Sequence, residues 1–109
     1  MAKFIAMFKA KGETVASLID HPSDRAAAIH GLLEAAGGKV EAYYWMFGQI
    51  DGFAILDVPD SKTAGAISLA ISSTGAFSVE THELIAPSQL GGILSRAKEL
   101  RSSYKAPGR

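Results

Sequence analysis

The sequence contains no cysteine, which excludes a disulfide framework, an iron–sulfur cluster held by thiolates and a thiol nucleophile. It also lacks an excess of charge of either sign, because 11 basic residues balance 11 acidic ones. Proteins that bind nucleic acid usually carry a basic excess, so we expect no nucleic-acid partner. No apolar run approaches the roughly 18 residues of a membrane-spanning helix, and the N-terminal run is too short for a signal peptide. We therefore expect a cytoplasmic protein with no membrane partner.

The amino-acid composition indicates self-association. A chain of 109 residues predicts one domain, residues 1–109. Its hydrophobic fraction is 48% and its charged fraction only 20%, a high apolar content for a small monomer. Apolar surface that a short chain cannot bury internally is commonly buried against another subunit. We therefore expect a homodimer or a higher homo-oligomer.

The hydrophobic spacing predicts an α+β fold. Apolar runs bounded by turn residues predict four strands, at residues 3–9, 39–47, 53–58 and 76–85. Helical spacing separated by proline and glycine predicts helices at residues 13–20, 23–36 and 61–74 and a last helix at about 88–104. The order is that of a ferredoxin-like βαββαβ fold, with an antiparallel four-stranded sheet at core residues 3–86 and a C-terminal helix.

The strand chemistry predicts where each strand lies in the sheet. The first and third strands are apolar on both faces, which is typical of central strands, and the charged second and fourth strands suit the edges. Simple alternation would turn Val40, Ala42, Tyr44 and Met46 toward the helices. It would put Tyr43 and Trp45 on the open face. The same alternation turns Phe77, Val79 and Thr81 inward and puts Glu80 and His82 on the open face.

The segment Gly48–Gly52 is predicted to join the second and third strands as a hairpin. Asp51-Gly52 is a strong turn signal, because glycine accepts a positive φ and aspartate bonds to nearby backbone N–H groups. A structural role for Gly48, Asp51 and Gly52 is therefore favoured over a catalytic role for the carboxylate.

The same segment carries a family resemblance. The stretch FGQIDGFAIL at 47–56, followed by VPD at 58–60, resembles the core of the GYD-domain family of small bacterial proteins. The resemblance extends over roughly residues 1–87, through SDR at 23–25, GG at 37–38 and TGAFSVET at 74–81. Ile50 stands where the family's namesake tyrosine is found, whereas Gly48 and Asp51 match.

The resemblance implies a fold more than a chemistry. GYD domains are similar to dimeric α/β-barrel proteins, in which two ferredoxin-like sheets pack face to face. The family has no well-established activity, so it supplies no catalytic residues. The wider barrel group includes monooxygenases, haem-binding chlorite dismutases and isomerases, and a shared fold alone is only an analogy with them.

The sequence leaves two functions open. In the first, the protein self-associates through its sheet and binds a small apolar or aromatic ligand at the sheet face, with Tyr43, Trp45 and His82 as ligand-binding residues. In the second, it is a cofactor-independent monooxygenase or isomerase, with His82 as base and Glu80 orienting it. No catalytic motif is present, and an edge-strand polar pair is the commoner meaning of Glu80 and His82. The three histidines have no metal-site spacing, and one of them on a sheet is not specific for haem, so no metal and no cofactor is predicted.

Overall fold

The structure is a computed structural model that describes residues 1–108, so Arg109, the last residue of the predicted domain, lies outside the described residues. The fold is α+β, as the sequence predicts. Its elements in chain order are β1 (Ala2–Ala10), α1 (Gly12–Asp20), α2 (Arg25–Ala35), β2 (Lys39–Trp45), β3 (Gly52–Val58), α3 (Ser61–Ser72), β4 (Phe77–Glu83) and α4 (Pro87–Arg101).

The four strands form one antiparallel sheet in the order β2-β3-β1-β4. The apolar strands β1 and β3 are central and the charged strands β2 and β4 are the edges, which confirms that part of the prediction. This is the ferredoxin-like arrangement.

Two helices connect β1 to β2, as the predicted helical segments 13–20 and 23–36 indicate. Pro22 separates them, since proline has no backbone N–H to continue a helix. The Asp24 carboxylate then caps α2 by accepting a hydrogen bond from the Ala27 N–H at 3.0 Å. Asp60 caps α3 in the same way, through Thr63 N–H at 2.8 Å and the Thr63 hydroxyl at 2.7 Å. These bonds to Thr63 lower the pKa of the Asp60 carboxyl.

The core lies between one face of the sheet and the helices α2 and α3. Leu33 of α2 and Leu56 and Val58 of β3 are its most deeply buried large side chains. The remaining members come from β1, β3 and α3: Phe4, Ala6, Ala54, Ala64 and Ile67. All the core strand residues face the same way, so the other sheet face has no helical layer of its own.

The C-terminal helix α4 extends away from this core. All 15 of its residues are exposed, including Leu90, Ile93, Leu94 and Leu100. The radius of gyration is 17.7 Å, whereas a compact chain of this length would have about 13 Å. Within residues 1–108, no helix combines the length and the apolar character needed to cross a membrane.

Candidate functional site

A β-bulge in β2 reverses the predicted faces of the aromatic residues. The register of β2 against β3 shifts between Val40 and Ala42, so Glu41 is an extra residue on the bulged strand. Val40 faces the helices as predicted. Beyond the bulge, Tyr43 pairs with the core residue Ala54. The predicted placement of Tyr43 and Trp45 on the open face is therefore wrong, because one inserted residue exchanges the two faces of a strand.

The open face carries different side chains from those predicted on β2. Tyr44, predicted to face the helices, instead pairs with Phe53 on the open face, where it is 61% exposed and its ring centroid lies 5.7 Å from that of Phe53. The centre of this face is apolar, as the central strands predict, and consists of Ile5, Met7, Phe53 and Ile55.

Five rings on the helix side form a continuous cluster, which we call the aromatic wall: Phe8, Tyr43, Trp45, Phe47 and Phe77. Phe8 is at its centre, with ring centroids 5.9 Å from Tyr43, 5.0 Å from Trp45 and 5.8 Å from Phe77. Phe47 stacks on the outer side of Trp45 at 5.9 Å. Offset and edge-to-face contacts of this kind stabilise aromatic clusters beyond the burial of their area.

A hydrogen bond fixes two rings of the wall relative to each other. The Trp45 indole N–H donates to the Tyr43 hydroxyl oxygen at 3.0 Å. Burial raises the pKa of the Tyr43 phenol, and the Trp45 donor and the nearby Arg25 charge oppose that rise. Tyr43 is therefore a neutral phenol at physiological pH, with its oxygen already engaged as an acceptor.

The wall borders an inner pocket of about 110 Å³ between the sheet and the helices α2 and α3. The helices contribute Ala28, Ile29 and Ile71, and the sheet contributes Phe8, Tyr43 and Phe77. An apolar cavity on the order of 150 Å³ is large enough to hold benzene. The inner pocket, at about 110 Å³, is smaller than that cavity and has room for at most one small ring against its apolar lining.

A second, larger space lies between the wall and α1, and we call it the outer cleft. It measures about 660 Å³ and separates Val15, Leu18 and Ile19 of α1 from Tyr43, Trp45 and Phe47. No residue of α1 is buried. The start of this helix is tied to the body by the hydroxyl of Thr14, which donates to the Ala76 carbonyl at 2.8 Å. An apolar helix thus faces an aromatic surface across an open cleft.

The side chain of Phe47 lines the outer cleft, and its backbone has a strained conformation. Its φ is 51°, the only positive φ at a non-glycine residue in the described chain, and this left-handed conformation is strained for a bulky side chain. The ring is 77% exposed, so burial within the subunit does not offset the strain.

Arg25 is the one charged residue that lines the inner pocket, and it also lines the outer cleft. Its guanidinium carbon lies 5.9 Å from the centre of the Phe77 ring. Within residues 1–108, no carboxylate comes within 4.0 Å of it. Arg25 and Phe8 are not among the site residues that the sequence predicts. Two features of the sequence could have identified them. Arg25 follows the cap residue Asp24, and Phe8 continues the alternation of Phe4 and Ala6.

Asp51 holds the β2–β3 connection to the end of β1. Its carboxylate accepts hydrogen bonds from the Ala10 N–H at 2.8 Å and from Lys9 Nζ at 3.2 Å. Its backbone N–H donates to the Phe8 carbonyl at 2.8 Å, and its own carbonyl accepts from Met46 N–H at 2.8 Å. The Ala10 hydrogen bond, with Lys9 assisting, lowers the pKa of the carboxyl. All these contacts are structural ones.

The glycines of this connection do not act as the turn signal suggests. The Gly48 N–H donates to the Ile50 carbonyl at 3.0 Å. Gly52 begins β3 without a positive φ, and the left-handed residue is Phe47. A Cβ at Gly52 would overlap the Phe8 ring and the Tyr44 carbonyl oxygen. The structure therefore requires glycine at position 52 for the space that it leaves to the aromatic wall.

The structure does not bring His82 and Glu80 to the aromatic wall. Both lie on the open face of β4, opposite Ile5 and Met7 of β1, as the alternation predicts. His82 Nε2 and Glu80 Oε2 are 3.6 Å apart, and both side chains are more than half exposed. The predicted base and the predicted pocket wall thus lie on opposite faces of the sheet, and a single site cannot contain them all within one subunit.

The histidines do not converge. His21 follows α1 as its C-cap residue, and His30 is an exposed residue of α2. Within residues 1–108, no group of three or more histidine and acidic side chains is arranged to hold a metal ion.

The chain matches a known protein family. The family model described as GYD domain matches residues 4–94, which contain the sheet except the first two residues of β1, the helices α1–α3 and the first half of α4. No curated protein and no solved structure matches the chain.

Proposed function

The chain belongs to the GYD domain family, and on that premise we propose that it self-associates through the open face of its sheet and binds a small apolar or aromatic ligand beside the aromatic wall. The occupant of the open face is a second copy of this chain. The observation that carries the proposal is the apolar centre of that face, because a sheet is stable when both of its apolar faces are covered.

The charges around the apolar centre suit a second copy. Lys3 pairs with Glu41 at 2.6 Å, and Lys39 lies 4.0 Å from Asp57. These groups alternate in sign along one end of the face. Two identical faces related by a two-fold axis can therefore approach without a large patch of like charge.

The area of the sheet suggests that α4 takes part as well. Strands of about seven residues, roughly 3.3 Å per residue and 4.8 Å apart, give a projected face of about 440 Å². A stable interface usually buries about 800 Å² per partner. The helix α4 presents the apolar stripe Leu90, Ile93, Leu94, Ala97 and Leu100 at helical spacing and leaves it exposed. Packing this stripe on the second copy supplies the missing apolar area.

The ligand part of the proposal uses the inner pocket and the outer cleft, not the open face. Both spaces are mainly apolar and share Tyr43 and Arg25. Small-molecule sites are typically apolar cavities with a few polar groups that fix orientation. The strained backbone and the exposed side chain of Phe47 support the same interpretation, since local backbone strain is often retained where a ligand binds.

A cofactor-independent monooxygenase or isomerase has less support. That mechanism requires His82 to reach a ligand held by Tyr43 and Trp45, and the sheet separates them. We also propose, from the sequence, that the protein is cytoplasmic.

A native mass spectrum of the freshly purified protein tests both parts together. We expect a dimer or a multiple of a dimer, and a discrete additional mass where a ligand is retained. A monomer would contradict the self-association.

A further inference from the structure

The charge pattern of the inner pocket restricts the chemistry of its ligand. Among the residues that line it, all but Arg25 and Tyr43 are apolar. The Tyr43 hydroxyl oxygen already accepts the Trp45 N–H. A guanidinium offers five donors in a planar fork that matches a carboxylate. One guanidinium nitrogen of Arg25 donates to the Ser23 hydroxyl at 3.5 Å, and Arg25 still has donors left to recognise an anion.

The carboxylates nearby do not use that capacity. Asp24 and Asp51 line the outer cleft together with Arg25. Asp24 is engaged in capping α2 through Ala27, and Asp51 is engaged by Ala10 and Lys9. Neither lines the inner pocket, so the inner pocket is bordered by one positive charge and no negative charge.

The size of the pocket restricts the apolar part of the ligand. The pocket measures about 110 Å³, against ~150 Å³ for an apolar cavity that holds benzene, so it has room for at most one such ring and none for a fused system. The rings of Phe8, Tyr43 and Phe77 line it, and aromatic side chains favour contact with another flat ring.

We propose that the inner pocket binds a small monocyclic aromatic carboxylate, with its ring among Phe8, Tyr43 and Phe77 and its carboxylate on the Arg25 guanidinium. This inference rests on the proposed ligand site at the aromatic wall and specifies the chemical class of ligand. Arg25 lines both the inner pocket and the outer cleft, so a carboxylate on its guanidinium lies where the two spaces meet while the ring lies among the aromatic side chains.

Trp45 makes the proposal directly testable, because it is the one tryptophan of the chain and its ring centroid lies 5.0 Å from that of Phe8. Its fluorescence and its indole N–H signal in an NMR spectrum both report on the wall. The probes are phenylacetate and its neutral amide, phenylacetamide, which share a carbon skeleton and differ in charge.

We expect phenylacetate to bind about tenfold more tightly than phenylacetamide, since a charge-assisted bidentate pair is stronger than a neutral one. Arg25→Gln should abolish that preference, and Arg25→Lys should retain part of it because the charge remains without the fork. Arg96→Gln on α4 removes the same charge far from the pocket and should leave the preference intact. The melting curve of each variant establishes that it is folded.

The outcomes separate this inference from the proposed function. Equal affinity for the two probes in the unmodified protein would overturn the assignment of a carboxylate to the ligand. It would still support the apolar site of the proposed function. A preference for phenylacetate that survives Arg25→Gln would overturn the role of Arg25. Failure of both probes to perturb Trp45 would overturn the inference and the ligand site together, while self-association is measured independently.

Discussion

The Trp45 indole N–H and the Tyr43 hydroxyl oxygen are joined by a 3.0 Å hydrogen bond on the helix side of the sheet. Tyr43→Phe removes the acceptor and keeps the ring. We expect the single indole N–H signal to move upfield and the free energy of unfolding to fall by about 1 kcal/mol. Tyr44→Phe on the open face is the matched control and should leave the indole signal in place. A large shift in that control, with none in Tyr43→Phe, would contradict the assigned faces.

The left-handed backbone of Phe47 should lower the stability of the subunit. Phe47→Gly relieves the left-handed backbone, a gain of about 1 kcal/mol, and removes a ring that is mostly exposed. We therefore expect stability equal to or higher than that of the unmodified protein in chemical denaturation. Phe47→Ala removes the same ring and keeps the strain, so it should be less stable than Phe47→Gly. Equal stability of the two variants would argue against strain at this position.

Asp51 should make stability depend on pH in the acidic range. Its pKa is lowered in the folded protein, chiefly by the Ala10 N–H. Its stabilising contribution is therefore complete above the ordinary aspartate pKa, about 3.9, and is lost as the pH falls through the lower folded value. We expect Asp51→Asn to lower the melting temperature by several degrees at pH 7, and the gap to the unmodified protein to narrow below about pH 4.

Asp20→Asn provides the reference for that experiment, because Asp20 is an exposed residue at the end of α1. Its melting temperature should follow that of the unmodified protein across the whole pH range. A gap for Asp51→Asn that widened on acidification would have the wrong sign for a lowered pKa.

The apolar stripe of α4 should act in assembly and not in the stability of the subunit. Leu94→Glu places a charge in the stripe, and we expect it to weaken association by about tenfold or more in sedimentation equilibrium. Ser95→Glu adds the same charge on the opposite side of the helix and should have little effect. Because α4 buries none of its residues within the subunit, the far-ultraviolet spectrum should be unchanged in both. Equal association constants for the two variants would contradict the proposal that α4 is part of the interface.

His82 should be dispensable for ligand binding. It lies on the open face beside Glu80, away from Tyr43 and Trp45, so His82→Ala should leave the Trp45 response to phenylacetate unchanged. Arg25→Gln is the comparison that should lose the response to charge. Loss of phenylacetate binding in His82→Ala would support a single site that contains both His82 and the aromatic residues.

The sequence was sufficient for the fold because the fold follows from long, redundant patterns. The apolar character of β1 and β3 identified the central strands, and the alternation of Phe77, Val79 and Thr81 identified the inner face of β4. The faces of β2 could not be predicted because they depend on one irregularity. The bulge at Glu41 is not marked by glycine or proline, and it exchanges Tyr43 with Tyr44.

The site was predicted only in part for the same reason. Tyr43 and Trp45 were identified as a pair, since residues two apart share a strand face whatever the register. Their neighbours Arg25 and Phe8 come from other elements, and only the three-dimensional packing of α2 and β1 brings them to the wall.

The most direct test of self-association through the sheet is sedimentation velocity of the unmodified protein beside Ile55→Lys. Ile55 lies on β3, opposite Ile5 on the open face, and Leu69→Lys on α3, where the residue is 73% exposed, is the matched control. We predict a dimer or a multiple of a dimer for the unmodified protein and for Leu69→Lys, and a folded monomer for Ile55→Lys. A monomer in all three, or an Ile55→Lys protein that assembles as the unmodified one does, would contradict the account.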